Sequence, residues 1–237
     1  MLITKIENVL APLQLAKVRA AVTSSSFIDG RVSGGSLESK HNLEMTPSED
    51  HYIEVLNIIE TAVRENAEFN MTAFPRYLTR PIISRYDVGM FYKDHVDMPV
   101  MGFMSQSRAA GKSFSALGHN YVRSDLSMTL FLNDPSTYDG GELSFEGSLE
   151  PLRIKLNAGS AIVYPTGSWH RVRPVTRGSR LAAIFWIQSM FPAEAHRQAV
   201  CDARRLYEAL KEKEPDSTNA ALAEASFFNL CRLFASV

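Results

Sequence analysis

Cysteine is nearly absent from this chain of 237 residues, and both of its cysteines, Cys201 and Cys231, stand in helical patterns near the C-terminus. A small secreted domain held together by disulfides would carry more cysteines at closer spacing. The two could pair in principle, but two cysteines in a chain of this size are more typical of reduced thiols. The composition therefore favours a reducing compartment.

The chain also lacks an excess of charge of either sign, because 25 Lys and Arg residues nearly balance 26 Asp and Glu residues. A net charge of −1 provides no basic footprint for nucleic acid and no attraction to acidic membranes. Long apolar runs are missing, and Lys5 and Glu7 interrupt the N-terminal one too early for a secretory signal. We therefore expect a cytoplasmic protein without a nucleic-acid or membrane partner, and the sequence leaves open whether it forms a homodimer.

Patterns of apolar residues divide the chain into three regions. Residues 1–76 form a support region of helices and short strands, and residues 77–190 contain short runs rich in Ile, Val, Tyr and Phe, separated by Gly, Pro, Asn and Asp. Such runs are typical of a β-sandwich or jelly roll. Residues 191–237 form a helical region with helices at 193–213 and 218–235. The sequence therefore predicts an α+β fold with a jelly-roll core.

The support region begins with a predicted strand at residues 2–6 and a helix at about residues 12–24. A second helix has clear start signals, because Thr46 can cap it, Pro47 suits the first helical position and Glu49 completes a capping box. Its apolar residues follow the spacing of one buried stripe, which consists of Tyr52, Val55, Leu56, Ile59 and Val63.

The most informative motif is His95-Val96-Asp97, followed much later by His170. Two imidazoles and one carboxylate can occupy one face of an octahedral metal ion and leave the opposite face open, an arrangement typical of non-haem Fe(II) oxygenases. Alternation along a β-strand would place His95 and Asp97 on the same side, and His170 would arrive from a distant strand. By itself the HxD pair is a weak signal, and the surrounding sequence strengthens it.

A strand-like segment at residues 125–131 alternates in the same way. One of its faces carries Ser127, Thr129 and Phe131, and the other carries Leu126, Met128 and Leu130. If the first face points inward, Ser127 and Thr129 offer short polar groups to a pocket and Phe131 supplies a wall. Because the second face is also apolar, a strand buried on both faces is the best interpretation.

The sequence around these residues resembles the bacterial PKHD-type hydroxylases, a PiuC-like branch of the Fe(II)/2-oxoglutarate dioxygenases. The resemblance is dense from about residue 77 to residue 188. Its motifs are His-Val-Asp at 95–97, Arg-Ser-Asp-Leu-Ser at 123–127, Asp-Gly-Gly-Glu-Leu at 139–143 and Trp-His-Arg-Val at 169–172. The resemblance implies a double-stranded β-helix core, with N-terminal helices packed on it and a C-terminal helical extension.

The resemblance also implies the cofactors and their ligands. His95, Asp97 and His170 would hold Fe(2+), and Arg180 would hold the 5-carboxylate of 2-oxoglutarate, because a guanidinium matches a carboxylate bidentately. Arg173 and Arg177 are rivals that fall in a polar turn. We also expect the hydroxyl of Tyr86 to donate to the same carboxylate, with Tyr92 as a fallback, and Thr129 to contact the cofactor. The pocket walls would be formed by Ser127, Phe131 and Trp186.

The implied reaction is a hydroxylation with O2 as co-substrate that gives succinate and CO2, with L-ascorbate as an auxiliary reductant. No catalytic side chain beyond the metal site is required. Two alternatives remain, a zinc hydrolase that uses the same triad and a non-catalytic sensor of 2-oxoglutarate or iron. Fold and cofactor do not choose a substrate. An association of some relatives with iron uptake suggests a siderophore-related molecule or a protein side chain.

One further expectation concerns residues 98–121, where the chain is longer than the corresponding loop of the family that it resembles. Long loops without regular structure are usually functional or disordered, and this one starts beside Asp97. We expect a lid that closes over the pocket when substrate binds. A solvated insertion without a role is the alternative.

Overall fold

The computed structural model describes residues 3–34, 36, 38–47, 51–102, 121–146 and 150–236. Among these residues the α-helices are α1 (Pro12–Ser24), α2 (Tyr52–Glu65), α3 (Ala67–Ala73), α4 (Glu194–Lys213) and α5 (Thr218–Phe234). None of these helices combines the length and apolar character that a membrane crossing requires.

The strands form two facing antiparallel sheets and two short two-stranded ladders. Strands of the first half are β1 (Thr4–Ile6), β2 (Phe27–Asp29), β3 (Lys40–His41), β4 (Leu43–Met45), β5 (Pro75–Leu78), β6 (Ile82–Tyr86), β7 (Phe91–His95) and β8 (Val100–Met101). Those of the second half are β9 (Val122–Arg123), β10 (Leu126–Phe131), β11 (Asp139–Gly140), β12 (Leu143–Phe145), β13 (Leu152–Ile154), β14 (Ala161–Pro165), β15 (His170–Val172), β16 (Val175–Arg177) and β17 (Arg180–Ser189).

The larger sheet has the order β1-β14-β10-β17-β6-β4-β2, with β5 added beside β17, and the smaller sheet has the order β13-β12-β15-β7-β3. Every strand in both sheets pairs antiparallel with its neighbours. Neighbours in space are mostly distant in sequence, as in a jelly roll. The expected α+β fold with a jelly-roll core is therefore confirmed.

Strand β10 lies at the centre of the larger sheet, and all six of its residues are buried. Leu126, Met128 and Leu130 pack into the main hydrophobic core together with buried residues of α1, α2 and α3. Alternation sends Ser127, Thr129 and Phe131 toward the smaller sheet. The N-terminal helices therefore cover the outer face of this sheet, and the inner face is left for the site.

The start predicted for the second helix is wrong. The backbone N–H of Thr46 donates to Ser26 O at 3.0 Å, which continues the pairing of β2 with β4 and keeps the chain extended. Pro47 lies in a turn, and α2 begins only at Tyr52, after His51. Glu49 lies outside the described residues. The predicted stripe is confirmed, since Val55, Leu56, Ile59 and Val63 are buried and Tyr52 packs against the core.

The C-terminal helices α4 and α5 pack on each other and form their own apolar cluster with Phe74 and Phe191. Their bounds agree with the predicted helices to within one residue at each end. Cys201 and Cys231 both lie in this cluster as free thiols.

Candidate active site

A cavity of about 210 Å³ lies between the inner faces of the two sheets. Strands of both sheets contribute to its wall, and so do the segment after β7 and the crossing from β3 to β4. The smaller sheet supplies His95 and His170, and the larger sheet supplies Tyr86, Thr129 and Arg180. The cavity therefore joins residues that are far apart in the sequence.

Strand pairing brings the two histidines together. His95 ends β7 and His170 begins β15, and the two are direct partners in the antiparallel ladder. Asp97 Oδ1 lies 3.6 Å from His95 Nε2 and 3.9 Å from His170 Nε2. One ligand atom from each of the three residues lies within 4.8 Å of the other two. The arrangement fits a single metal ion.

The prediction that alternation along one β-strand places His95 and Asp97 on the same side is wrong. Strand β7 ends at His95, so Asp97 does not share a strand face with it by alternation. The chain leaves the sheet at Val96, whose side chain is exposed, and turns Asp97 back into the cavity. A strand end permits this turn because the ladder no longer fixes the backbone direction.

Backbone carbonyls orient both imidazoles. His95 Nδ1 lies 2.8 Å from Lys93 O, and His170 Nδ1 lies 2.9 Å from Ser168 O. A carbonyl oxygen can only accept, so each Nδ1 carries the proton and each Nε2 offers a lone pair toward Asp97. This is the usual way in which proteins prepare histidines for a metal. The donor atoms of the chain therefore fit the ion that the motif predicts.

The electrostatics of the site favour the ligating protonation states. Burial raises the pKa of Asp97, but the interactions with the imidazoles of His95 and His170 and the hydrogen bond from Ser127 outweigh burial, so the pKa is lowered overall. Burial lowers the pKa of His170, and the opposing attraction of Asp97 does not reverse this. An ionised carboxylate and a neutral imidazole are the forms that bind a metal.

Arg180 begins β17 and is 1% exposed, although it carries a full positive charge. Its guanidinium lies over the rings of Tyr86 and Phe131, at 5.3 Å and 5.5 Å from their centroids. Among the described residues no carboxylate forms an ion pair with it, and its Nε has no hydrogen-bond partner. Burying a charge without a partner is costly. Arg180 is therefore prepared for an anionic ligand.

The two rival arginines have partners of their own near the surface. Arg177 Nε lies 2.6 Å from Asp139 Oδ2, with both side chains 58% exposed. Arg173 Nε lies 3.8 Å from Glu142 Oε2. Neither lines the cavity. Of the three arginines, only Arg180 reaches the interior without a carboxylate.

The Asp-Gly-Gly turn makes room for Arg180. Gly141 has a φ of +66°, and a Cβ on it would lie 3.2 Å from Arg180 Cδ. At Gly140, a Cβ would lie 2.1 Å from the carbonyl oxygen of Pro174. A side chain at either position would therefore displace the strand or the arginine.

The other predicted site residues divide into two groups. Tyr86, Thr129 and Trp186 line the cavity, and so does the fallback Tyr92. Ser127 and Phe131 do not form the wall, which corrects the expectation. Ser127 lies behind Asp97 and donates a hydrogen bond to it, while Phe131 packs against the guanidinium of Arg180. Alternation predicted their face correctly but not how far each side chain reaches.

Sequence reasoning missed several polar residues of the cavity. Tyr164 on β14 lines it, with its hydroxyl 3.4 Å from His170 Nε2. Lys40 and Glu44 also line the cavity and form an ion pair of 2.9 Å. Tyr164 stands in an apolar run that reads as core, and the pair lies in two very short strands without a motif. The sequence signal that could have indicated this ion pair was the presence of two opposite charges four residues apart in a region without helical periodicity.

Comparison with known proteins identifies the family. A family model described as the 2OG-Fe(II) oxygenase superfamily matches residues 81–188. A PKHD-type hydroxylase of Methylobacterium nodulans is 37% identical over 239 residues, which cover 100% of both chains. Another, from Gluconacetobacter diazotrophicus, is 36% identical over 92% of this chain and 91% of its own. The chain belongs to the PKHD-type hydroxylases. The enzyme is therefore a hydroxylase whose cofactors are Fe(2+) and 2-oxoglutarate, with O2 as co-substrate.

Solved structures share the fold of this hydroxylase. A prolyl hydroxylase of Trichoplax adhaerens, in complex with a peptide fragment of hypoxia inducible factor, gives a TM-score of 0.55 at 14% identity and covers 78% of this chain and 82% of its own. An oxygenase of the 2OG-Fe(II) family from Burkholderia pseudomallei gives 0.52 at 16% identity, with coverage of 78% and 84%. At these identities the likeness concerns the fold alone. The expected lid falls largely on residues 103–120, outside the described residues, and stays a prediction.

Proposed function

We propose that His95, Asp97 and His170 hold Fe(II), and that Arg180 holds the far carboxylate of 2-oxoglutarate, in an enzyme that hydroxylates an organic substrate and releases succinate and CO2. The observation that carries this proposal is Arg180, a fully buried cation without a carboxylate partner, in the same cavity as the triad. A zinc hydrolase with the same triad would have no use for this arginine. The charge and shape of the guanidinium match a carboxylate.

The bound iron and 2-oxoglutarate supply the oxidative chemistry, and the chain supplies orientation and fixed charge. Burial raises the pKa of Tyr86 to about 12, and burial also raises that of Tyr164 well above its usual value. Both phenols therefore stay protonated at neutral pH and can donate hydrogen bonds to a carboxylate of the cofactor. Thr129 adds a hydroxyl on the same wall.

The substrate enters beside the metal ligands, where the chain exposes apolar side chains. Val96, Met98 and Trp169 are 44%, 37% and 59% exposed, and each adjoins a ligand of the triad in sequence. Val96 and Met98 also line the cavity, and this apolar surface suits an apolar portion of a protein side chain or of a siderophore-like small molecule, the two substrate classes that we propose. A link to iron uptake and a use of ascorbate belong to the same proposal.

The test is O2-dependent formation of succinate from 2-oxoglutarate by the protein loaded anaerobically with Fe(II). We expect turnover in the wild type and none in His95→Ala, Asp97→Ala or His170→Ala. Circular dichroism should show a retained fold in all three, because the core is built by sheet and helix packing elsewhere. His41→Ala is the matched control, since this exposed histidine of β3 lies outside the triad, and it should turn over normally.

Two outcomes would contradict the proposal. Stoichiometric Fe(II) binding by His170→Ala would exclude the triad as the iron site. Binding of 2-oxoglutarate without any succinate, under all conditions of iron and O2, would favour the non-catalytic sensor. Mass spectrometry of metabolites and proteins for a gain of one oxygen atom, with and without the active enzyme, then identifies the substrate.

A further inference from the structure

Ser127 is fully buried directly behind the candidate iron ligand Asp97, at the centre of the larger sheet. Its hydroxyl donates to Asp97 Oδ2 at 2.6 Å, a length typical of a strong bond to an ionised acceptor. A hydroxyl has one proton, and this contact is the shortest that Ser127 makes.

The two oxygens of Asp97 therefore have different surroundings. Oδ1 faces the Nε2 atoms of His95 and His170, at 3.6 Å and 3.9 Å, whereas Oδ2 is held by Ser127 on the side away from them. A carboxylate whose second oxygen is already hydrogen-bonded presents a single oxygen to a metal.

Behind Ser127 lies a short chain of buried hydroxyls. Ser127 Oγ lies 3.2 Å from Thr166 Oγ1, which lies 3.1 Å from Ser124 Oγ. All three residues are at most 7% exposed. Ser127 also lies on a strand that is paired on both sides, with Tyr164 on β14 and Trp186 on β17. Its hydroxyl is therefore fixed in position by the sheet and by its neighbours.

The number of ligand atoms from Asp97 matters for the reaction class proposed above. An octahedral ion that takes one atom from each of three residues keeps one face open, which is needed by a keto acid that binds through two oxygens and by O2. If Asp97 supplied both oxygens, it would occupy one of these open positions. The protein must therefore keep Oδ2 away from the ion.

We propose that Ser127 is a positioning residue that restricts Asp97 to one-oxygen ligation and so reserves a coordination position for 2-oxoglutarate. This inference rests on the proposed function. Its consequence is a separation of two affinities: loss of the Ser127 hydroxyl frees Oδ2 to bind iron, so binding of 2-oxoglutarate weakens while binding of Fe(II) does not. A purely structural role would instead weaken both affinities or neither.

The experiment is anaerobic titration of Ser127→Ala with Fe(II), followed by titration of the iron-loaded protein with 2-oxoglutarate. We expect the affinity for 2-oxoglutarate to fall by about tenfold, the effect of losing one hydrogen bond to a charged group. The affinity for Fe(II) should stay equal to that of the wild type or increase. The charge-transfer absorption of Fe(II) with the bound keto acid should shift as well.

The matched control is Ser144→Ala. Ser144 is also fully buried, on β12 of the smaller sheet, and its hydroxyl has no hydrogen-bond partner among the described residues. The Ser144→Ala substitution removes the same atom from a similarly buried position without altering a contact of Asp97. Both affinities should match those of the wild type.

The proposal is overturned if Ser127→Ala leaves both affinities unchanged, weakens both in parallel, or is matched in its effect by Ser144→Ala. Should Ser127→Ala fail to fold, a crystal structure of the wild type with Mn(II) and 2-oxoglutarate decides: one-oxygen ligation by Asp97, with Ser127 still bonded to Oδ2, supports it, and two-oxygen ligation overturns it. A wild type that binds neither iron nor 2-oxoglutarate would instead refute the proposed function itself.

Discussion

Lys40 and Arg180 are two buried cations that line one cavity, and their surroundings differ. Lys40 Nζ donates to Gly30 O at 2.6 Å, to Ser33 Oγ at 2.6 Å and to Glu44 Oε1 at 2.9 Å. All three of its protons are therefore used. Arg180 lies among aromatic rings, with no carboxylate paired to it in the described part of the chain.

The difference separates a charge that is paired within the chain from one that is available to a ligand. The free-energy cost of burying Lys40 is offset within the chain, where Lys40 and Glu44 join β3 of the smaller sheet to β4 of the larger sheet. The corresponding cost for Arg180 is only partly offset by its rings, and a ligand carboxylate would complete the compensation. Burial alone would not have distinguished the two, because Lys40 is 6% and Arg180 is 1% exposed.

The largest expected effect is on stability, from Lys40→Met. This change leaves Glu44 buried without its cation, so the free energy of unfolding should fall by about 3–5 kcal/mol. Denaturant unfolding measures this loss, and the protein that remains folded should bind 2-oxoglutarate as the wild type does. Lys5→Met is the control, because the ion pair of Lys5 with Glu7 is exposed, and its loss should leave the midpoint of denaturant unfolding unchanged. If the Lys40→Met protein were as stable as the wild type but bound 2-oxoglutarate more weakly, Lys40 would be a ligand-binding charge and not a structural one.

Arg180→Lys should produce the next largest effect, on binding instead of stability. Lysine keeps the charge but loses the planar fork, and charged hydrogen bonds contribute roughly 1.5–3 kcal/mol each, so affinity for 2-oxoglutarate should fall at least about tenfold. Iron affinity and the unfolding midpoint should change little. Calorimetry on the iron-loaded protein measures this, with Arg177→Lys as the exposed control. If Arg177→Lys weakened binding and Arg180→Lys did not, the wrong arginine has been assigned.

The smallest effect is expected when both charges of the structural pair are removed together. Lys40→Met combined with Glu44→Leu leaves neither ion unpaired, so most of the stability lost in Lys40→Met should return, to within about 1 kcal/mol of the wild type. The double-mutant cycle on unfolding free energies gives the coupling of the pair. Additive losses from the two single variants would mean that Lys40 and Glu44 act independently, and the comparison with Arg180 would then lose its basis.

Local patterns in the sequence predicted most of the helices, the jelly-roll core and the set of residues that meet at the candidate iron site. His95, Asp97, His170 and Arg180 all face the cavity as expected. The roles of these four residues as ligands stay predictions until the proposed experiments are done. The start of α2 was predicted wrongly because sheet pairing through Thr46 overrides a local capping signal.

The sequence by itself determined which chemical groups are available and which family pattern they follow, because motif spacing and periodicity are local properties of the chain. Only the tertiary structure decided which charges find partners. The sequence does not show that Lys40 meets a carboxylate inside the protein while Arg180 does not, or that Ser127 meets Asp97 while the hydroxyl of Ser144 has no partner among the described residues. Their difference arises from strand pairings that join residues far apart in sequence, such as Ser127 with Trp186 and Arg180 with Tyr86. These pairings determine whether a buried polar group meets a partner, a metal ligand or an open cavity.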